Sequence, residues 1–260
     1  MDAKTRALIE KYVHDNIDTF HANRIEKIKS LKLKEVLKNK NPYLFRAKNL
    51  TLATELMTAL LDARLSSGEE TSFGTFLEEL AIYVATITGG GTKSAATGLD
   101  IELMRNSIRY LIAVKSGRNW GNAGQHKDLK ASFKTALKVI KQSKQAGQLQ
   151  PTLGICYGKF KTVDNGEYLH IGGQAFWDLI SGDKELYVDL IEPLGHEAEK
   201  HNKAFNLEKD ATYNRLIREF TIEYCDPGGY IDWPKLVRFV SGNMILKTPK
   251  PKASKKKKGT

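Results

Sequence analysis

The hydrophobic period of the chain switches at Gly89-Gly90-Gly91, and this switch limits the fold more than any other feature of the sequence. Before it, apolar residues recur at three- and four-residue spacing. Leu8, Ile9, Tyr12, Val13, Ile17 and Phe20 mark a helix over 5–20, and Ile25, Ile28, Leu31, Leu33, Val36 and Leu37 continue less regularly until Asn41-Pro42 breaks the run. A second amphipathic helix is expected over 51–65, ending before Ser66-Ser67-Gly68. A third starts near Ser72 as N-cap and carries Phe76, Leu77, Leu80, Val84 and Ile87. After the glycines, residues 97–103 alternate and 108–115 are rich in β-formers, so the two read as neighbouring strands joined through Arg105-Asn106-Ser107.

A Gly/Asn-rich loop over 116–124 then leads into the clearest helix of the chain, 125–145. Residues 153–157 read as a strand with a hairpin partner around 168–171. The stretches 175–180, 186–191, 198–204, 211–224 and 233–240 read as helices, and no internal repeat is present. The pattern implies an α/β fold with a small central mixed β-sheet flanked by helices and with helix-rich N- and C-terminal parts. It is expected as one domain over 1–246, divided into a helical part (1–70), a core (71–175) and a second helical part (176–246). The Pro/Lys-rich residues 247–260 have the composition of a disordered tail.

At 260 residues and 41% hydrophobic, the chain buries a core without staples. Cys156 and Cys225 are far apart and lack any Cys-x-x-Cys or nearby His pattern, so both are expected as buried free thiols. No apolar run approaches the ~20 residues that span a bilayer, and Met1-Asp2-Ala3-Lys4 is polar, so a cytoplasmic protein with no membrane partner is expected.

The formal charge of +11 is uneven. Seven lysines lie in the tail. Residues 24–50 hold nine basic and two acidic side chains, and 113–150 hold eight basic and one acidic. Between these segments, 51–112 carries four basic and eight acidic side chains, among them Glu78, Glu79, Asp100 and Glu102. Lys127, Lys130, Lys134, Lys138 and Lys141 fall on one helix face beside an apolar stripe of Leu129, Phe133, Leu137 and Ile140. Like charges in a row repel, so a polyanionic partner accounts for them better than a solvated face.

Asp100 and Glu102 share one face of their strand, and Lys115 closes the next. Two carboxylates and a lysine at strand ends are what metal-dependent phosphodiester hydrolysis requires. On spacing alone, solvated carboxylates and a strand-closing lysine account for the same residues. The basic helix a dozen residues downstream favours the nuclease reading.

Gly98-Leu-Asp-Ile-Glu102 and Tyr110-Leu-Ile-Ala-Val-Lys-Ser-Gly-Arg-Asn-Trp-Gly-Asn122 resemble the core of type II restriction endonucleases of the PD-(D/E)xK nuclease superfamily. Asn41-Pro-Tyr-Leu-Phe-Arg-Ala-Lys-Asn49, Gly154-Ile-Cys-Tyr-Gly158 and Gly173-Gln-Ala-Phe-Trp177 extend the resemblance over most of 15–240. It implies a restriction-endonuclease-like fold and Mg²⁺-dependent, site-specific cleavage of double-stranded DNA to 5′-phosphate ends, by a homodimer with no small-molecule substrate. It also implies that Asp100 binds metal and that Lys115 is the lysine of the (D/E)xK element.

Where the superfamily pattern has a carboxylate two residues before that lysine, this chain has Ala113. Glu79 or Glu78, from the preceding helix, is the favoured replacement ligand, with Glu102 close behind. If none of them serves, the chain would bind DNA without cutting it. Ser116, Arg118, Asn119, Asn122 and Gln125 could reach phosphates or base edges, or could form a loop held by its own turn chemistry. Lys127, Lys130 and Lys134, with Arg46 and Lys48, are the expected phosphate contacts, while Tyr43, Leu44 and Phe45 are expected in the core. His126 reads as a surface histidine. His196 and His201, beside Glu197 and Glu199, read as a solvated face rather than a metal site.

Overall fold

The computed structural model describes residues 1–142, 147–159 and 161–242. Its elements run α1 (Ala3–Lys29), α2 (Leu33–Leu37), α3 (Pro42–Ala47), α4 (Ala53–Gly89), β1 (Thr92–Lys93), β2 (Ile101–Arg105), β3 (Ile108–Lys115), α5 (Ala123–Gln142), β4 (Gln148–Ile155), β5 (Val163–Asp164), β6 (Leu169–Gly172), α6 (Gln174–Ser181), α7 (Leu186–Asp189), α8 (Ile191–Leu194), α9 (Ala198–Tyr224) and α10 (Trp233–Ser241). The described chain packs as two compact units. One comprises Met1–Ser30 and Ala63–Thr212, and the other Leu31–Asp62 and the described residues from Tyr213 to 242.

The larger unit holds a six-stranded sheet in the order β1-β2-β3-β4-β6-β5. The β1–β2–β3 edge is antiparallel, β3, β4 and β6 are parallel, and β5 returns antiparallel on β6, so the sheet is mixed as expected. Helix α5 is the crossover that the parallel β3–β4 pair requires. Strand alternation divides the core in two. Ile101, Leu103, Ile112 and Val114 pack with Ile9 and Val13 of α1, Leu80 and Val84 of α4, and Phe176 and Ile180 of α6. On the opposite face, Leu111, Ala113, Leu153 and Ile155 pack with Leu129, Phe133 and Ala136 of α5. Residues 111–114 are therefore covered on both faces, which is why they read as an unbroken apolar run.

In the smaller unit, Asn41 caps α3 by accepting from the backbone N–H of Tyr43 (3.1 Å) and Leu44 (3.2 Å), with Pro42 as the first helical residue. Leu56, Met57, Leu60, Leu216, Phe220 and Leu236 are buried there, and Tyr213 donates to Asp62 Oδ1 at 2.7 Å. Tyr43 and Leu44, expected in the core, are 65% and 49% exposed, while Phe45 is half-buried. The cap sets α3's phase and turns the aromatic-aliphatic pair outward.

Several local expectations are corrected. The two helices expected over 51–65 and from Ser72 are one helix, α4, and Ser72 is not an N-cap. Its hydroxyl donates to the Gly68 carbonyl at 2.7 Å, and that of Thr71 to Ser67 at 2.9 Å, one turn back. A helix-interior glycine costs about 1 kcal/mol, and the buried stripe Leu77, Leu80, Ala81, Val84, Ala85 outweighs that. Likewise 198–204 and 211–224 are joined in α9. Strand β2 starts at Ile101 rather than 97, because Gly98 turns the chain at φ +81, where a Cβ would come within 2.6 Å of Ser132 Oγ.

Strands β4 and β6 are parallel, so they do not form a hairpin. The hairpin is β5–β6, closed by Asn165-Gly166, with Asn165 Oδ1 accepting from the N–H of Glu167 and Tyr168. The β2–β3 turn stands as expected, with Asn106 and Ser107 at φ 50 and 63. Cys156 is buried and free, but Cys225 is only half-buried. The expected helix end at 143–145, residue 160 and the tail lie outside the described residues.

Candidate active site

Asp100 sits just before β2, where the antiparallel ladder holds it on β3. Its N–H donates to the Ile112 carbonyl at 2.8 Å, and its Oδ2 accepts from the Val114 N–H at 2.7 Å. A carboxylate fixed by a backbone donor loses little freedom when it binds a ligand. Lys115 ends β3 in register with Ile155 of β4, and its carbonyl accepts from the Cys156 N–H at 2.9 Å. Its Nζ lies 5.6 Å from the Trp120 ring centroid, within cation–π range. Ala113 has the same strand parity as Lys115 and is fully buried under α5 with Leu129 and Phe133.

A carboxylate of α4 also reaches Lys115. Glu70, Gly74 and Glu78, spaced i, i+4, i+8, lie along one stripe that meets the strand-end loops in turn. Tyr157 Oη donates to Glu70 Oε2 at 3.4 Å. A Cβ on Gly74 would come within 2.8 Å of Ser116 Oγ, so only glycine permits this approach without a shift. Glu78 Oε1 lies 3.7 Å from Lys115 Nζ. Burial raises the Glu78 pKa, the Lys115 ammonium opposes that rise, and the Asp100 charge adds to it. Two carboxylates thus repel each other at a half-buried site where Lys115 lies beside Glu78. Such a donor set of hard oxygens fits a divalent cation such as Mg²⁺.

The other expected carboxylates lie elsewhere. Glu79, the next residue on α4, lines a separate cleft with Asn16, Thr19, Asn23 and Lys27. Glu102 is ion-paired to Arg109 at 2.5 Å and accepts from Ser94 Oγ at 3.1 Å. Position 102 shares strand parity with Asp100, but its carboxylate is held on the antiparallel edge of the sheet.

Of the loop residues, Asn122 and Gln125 form a reciprocal capping box at the start of α5. The Asn122 N–H donates to Gln125 Oε1 and the Gln125 N–H to Asn122 Oδ1, each at 3.0 Å. Ser116 is half-buried against α4, while Arg118 and Asn119 are exposed. His126 is not a plain surface histidine: it lies edge-on to Trp120 with centroids 5.1 Å apart, and its Nδ1 is 3.5 Å from Tyr168 Oη. On α5, Lys127 and Lys134 are exposed. Lys130 pairs with Glu167, whose pKa that hydrogen bond lowers, and Lys134 lies 3.9 Å from the same carboxylate.

The sequence reading missed Gly74, Glu70, Tyr157, Trp120 and Glu167. The Glu-x₃-Gly-x₃-Glu spacing on α4 was the available signal for the first two.

Compared with known families, residues 7–202 match the model of the type II restriction endonuclease EcoO109I family. The chain belongs to that family. No curated protein matches the chain. The EcoO109I family consists of restriction endonucleases, so the chain is assigned as a nuclease that binds double-stranded DNA and cuts it site-specifically, in a family that generally uses a divalent metal. The match spans the whole α4–β2–β3–α5 arrangement and includes Arg46 and Lys48, which are exposed in the smaller unit. Among the described residues, no helix is long and apolar enough to cross a membrane.

Proposed function

We propose that this family member is a cytoplasmic, Mg²⁺-dependent type II endonuclease of a restriction–modification system, with 71–175 as its catalytic core, cutting both strands of a short site to leave 5′-phosphate ends. The observation that carries the reading is the placement of Glu78 beside Lys115 and Asp100, which supplies from α4 the carboxylate that Ala113 lacks.

Asp100 and Glu78 would hold the cation, while Glu79 and Glu102, engaged elsewhere, take no direct part. A bound Mg²⁺ lowers the pKa of its water and stabilises the departing oxyanion. Lys115 directs its ammonium at the reacting phosphate and orients the attacking water, with the Trp120 face limiting its range. Ser116, Arg118 and Asn119 lie next to this point and meet the DNA. Asn122 and Gln125 act through the helix start they cap. Lys127, Lys130 and Lys134, with Arg46 and Lys48 from the smaller unit, contact phosphates. A homodimer matches the two-fold symmetry of a palindromic site.

End-mapping of a digested DNA library with Mg²⁺ tests activity, site and overhang together. Loss of cutting in Asp100→Ala, Glu78→Ala and Lys115→Ala is expected. Parent-like cutting by any of the three overturns the assignment. Salt-dependent duplex binding without strand breaks in the parent chain overturns the cleavage reading in favour of a non-catalytic DNA-binding protein.

A further inference from the structure

A second group of metal-ligating side chains lies away from the carboxylates of the strand ends. Asp18 on α1, Glu197 just before α9, and His201 in the first turn of α9 bring their ligand atoms within 4.8 Å of one another. His201 Nε2 is 2.9 Å from Asp18 Oδ1. The ligand atoms of a tetrahedral zinc ion, with bonds of about 2.0–2.1 Å, are about 3.3 Å apart. The His201–Asp18 separation is already close to that value, and Glu197 lies within reach of both.

The surroundings fit this use. Helix α1 presents His14, Asp18 and His21 at i, i+4 and i+7, on one face. The His21 ring stacks on His201 at 4.2 Å and 5°, and the His14 ring stacks on His196 at 3.9 Å and 16°. The His21 stack holds the His201 imidazole, whose side chain is only 15% exposed, while Asp18 and Glu197 remain open to solvent. Glu197 has φ 50, which L-residues rarely adopt, and in this conformation its carboxylate reaches the group. Lys200, which pairs with Glu197, is highly exposed, so displacing its ammonium costs little.

We propose that Asp18, Glu197 and His201 form a site for a divalent first-row transition cation of the Zn²⁺ type. The imidazole sets it apart from the all-oxygen carboxylate pair: nitrogen with carboxylate suits Zn²⁺, Ni²⁺ or Co²⁺, whereas Mg²⁺ takes oxygen and keeps its waters. Three protein ligands leave a fourth position to water. The ion ties α1 to the start of α9 and stabilises the fold without entering the cleavage reaction, because it binds the folded chain and not the unfolded one.

The test uses the full chain with Asp100→Asn and Glu78→Gln, which removes metal binding at the strand ends. Zn²⁺ is titrated by calorimetry in excess Mg²⁺, and thermal unfolding is followed with and without Zn²⁺. One equivalent is expected, with a rise in Tm of at least about 3 °C. Adding Asp18→Asn, His201→Gln or the solvent-exposed Glu197→Gln should weaken binding at least tenfold and abolish the Tm shift. Zn²⁺ uptake that none of the three changes would overturn the proposal, as would no uptake at all, in which case Asp18 and His201 form a hydrogen-bonded pair only. Since Glu197→Gln leaves the buried structure intact, its result stands even where His201→Gln fails to fold. Nuclease activity is not read at any step.

Discussion

The two helices that flank the end of β3, α4 and α5, make an instructive pair. On α4 the stripe Glu70, Gly74, Glu78 is committed residue by residue, to Tyr157, to the space beside Ser116, and to Lys115. On α5 the stripe Lys127, Lys130, Lys134 has solvent in front of it and, within the described residues, one carboxylate, Glu167, to share. One helix is built for geometry at a single point and the other for charge along a line. Substitutions on α4 should therefore act steeply and on cleavage, and those on α5 gradually and on binding.

The largest expected effect separates neighbours on α4. Glu78→Gln should lower Mg²⁺-dependent cleavage by about 10²–10⁴-fold, the range for a positioned catalytic group. Glu79→Gln, one residue away and on another cleft, should stay within about twofold. Single-turnover cleavage of a site-bearing duplex reads both. Equal losses would show that α4 contributes in bulk and not through one carboxylate. A smaller effect follows at Gly74. Gly74→Val places side-chain atoms where Ser116 Oγ now sits, and overpacking of this kind costs about 1–3 kcal/mol. Tm should fall and cleavage drop about tenfold, with duplex binding unchanged in a gel-shift assay.

The same contrast explains what the sequence made legible. The α5 lysines, the β3 apolar run and the Asn106-Ser107 turn are local patterns, and each appears where its spacing placed it. Which α4 carboxylate lies beside Lys115 is not a local matter. Glu78 and Glu79 are adjacent, so periodicity separates them by only 100° of helix, and their faces are set by how α4 packs on the sheet. Seeing α4 as two helices broken at Ser66-Ser67-Gly68 also hid the register that links Glu70 and Gly74 to Glu78. Glu102 shares strand parity with Asp100, and only the structure shows its carboxylate paired with Arg109 and Ser94. Asn165-Gly166 was a readable hairpin signal that pointed to β5, but which strand lies beside β4 was a matter of long-range order.

On α5, alanine at Lys127 or Lys134 should weaken duplex binding uniformly across sequences and reduce the salt slope by about 1 for each phosphate that is no longer neutralised. Glu167→Gln should do the opposite. It frees Lys130 and relieves the charge beside Lys134, so affinity rises modestly at low salt and converges with the parent as salt screens the surface. Fluorescence anisotropy at several salt concentrations checks both. A Glu167→Gln variant that binds more weakly would mean that the carboxylate organises the lysines instead of masking them.

The smallest effect is one of pH, and its sign follows from burial at Glu78. Its pKa in the folded chain is raised above the ordinary carboxylate value, chiefly by desolvation. In metal-free protein the folded state therefore holds this proton where the unfolded state has lost it. The stability tied to it is complete below the ordinary glutamate range and is lost as pH rises through the raised value. Glu78→Gln cannot ionise and escapes this loss. With EDTA its Tm should exceed the parent's at neutral pH, and the difference should vanish below the ordinary glutamate range. Saturating Mg²⁺ should reverse the order, because the ionised carboxylate then gains a cation that glutamine holds poorly. The parent's affinity for Mg²⁺ should likewise climb with pH as the proton leaves. A Tm difference that ignores both pH and Mg²⁺ would mean that Glu78 answers to Lys115 alone, and the carboxylate pair with Asp100 would lose its electrostatic basis.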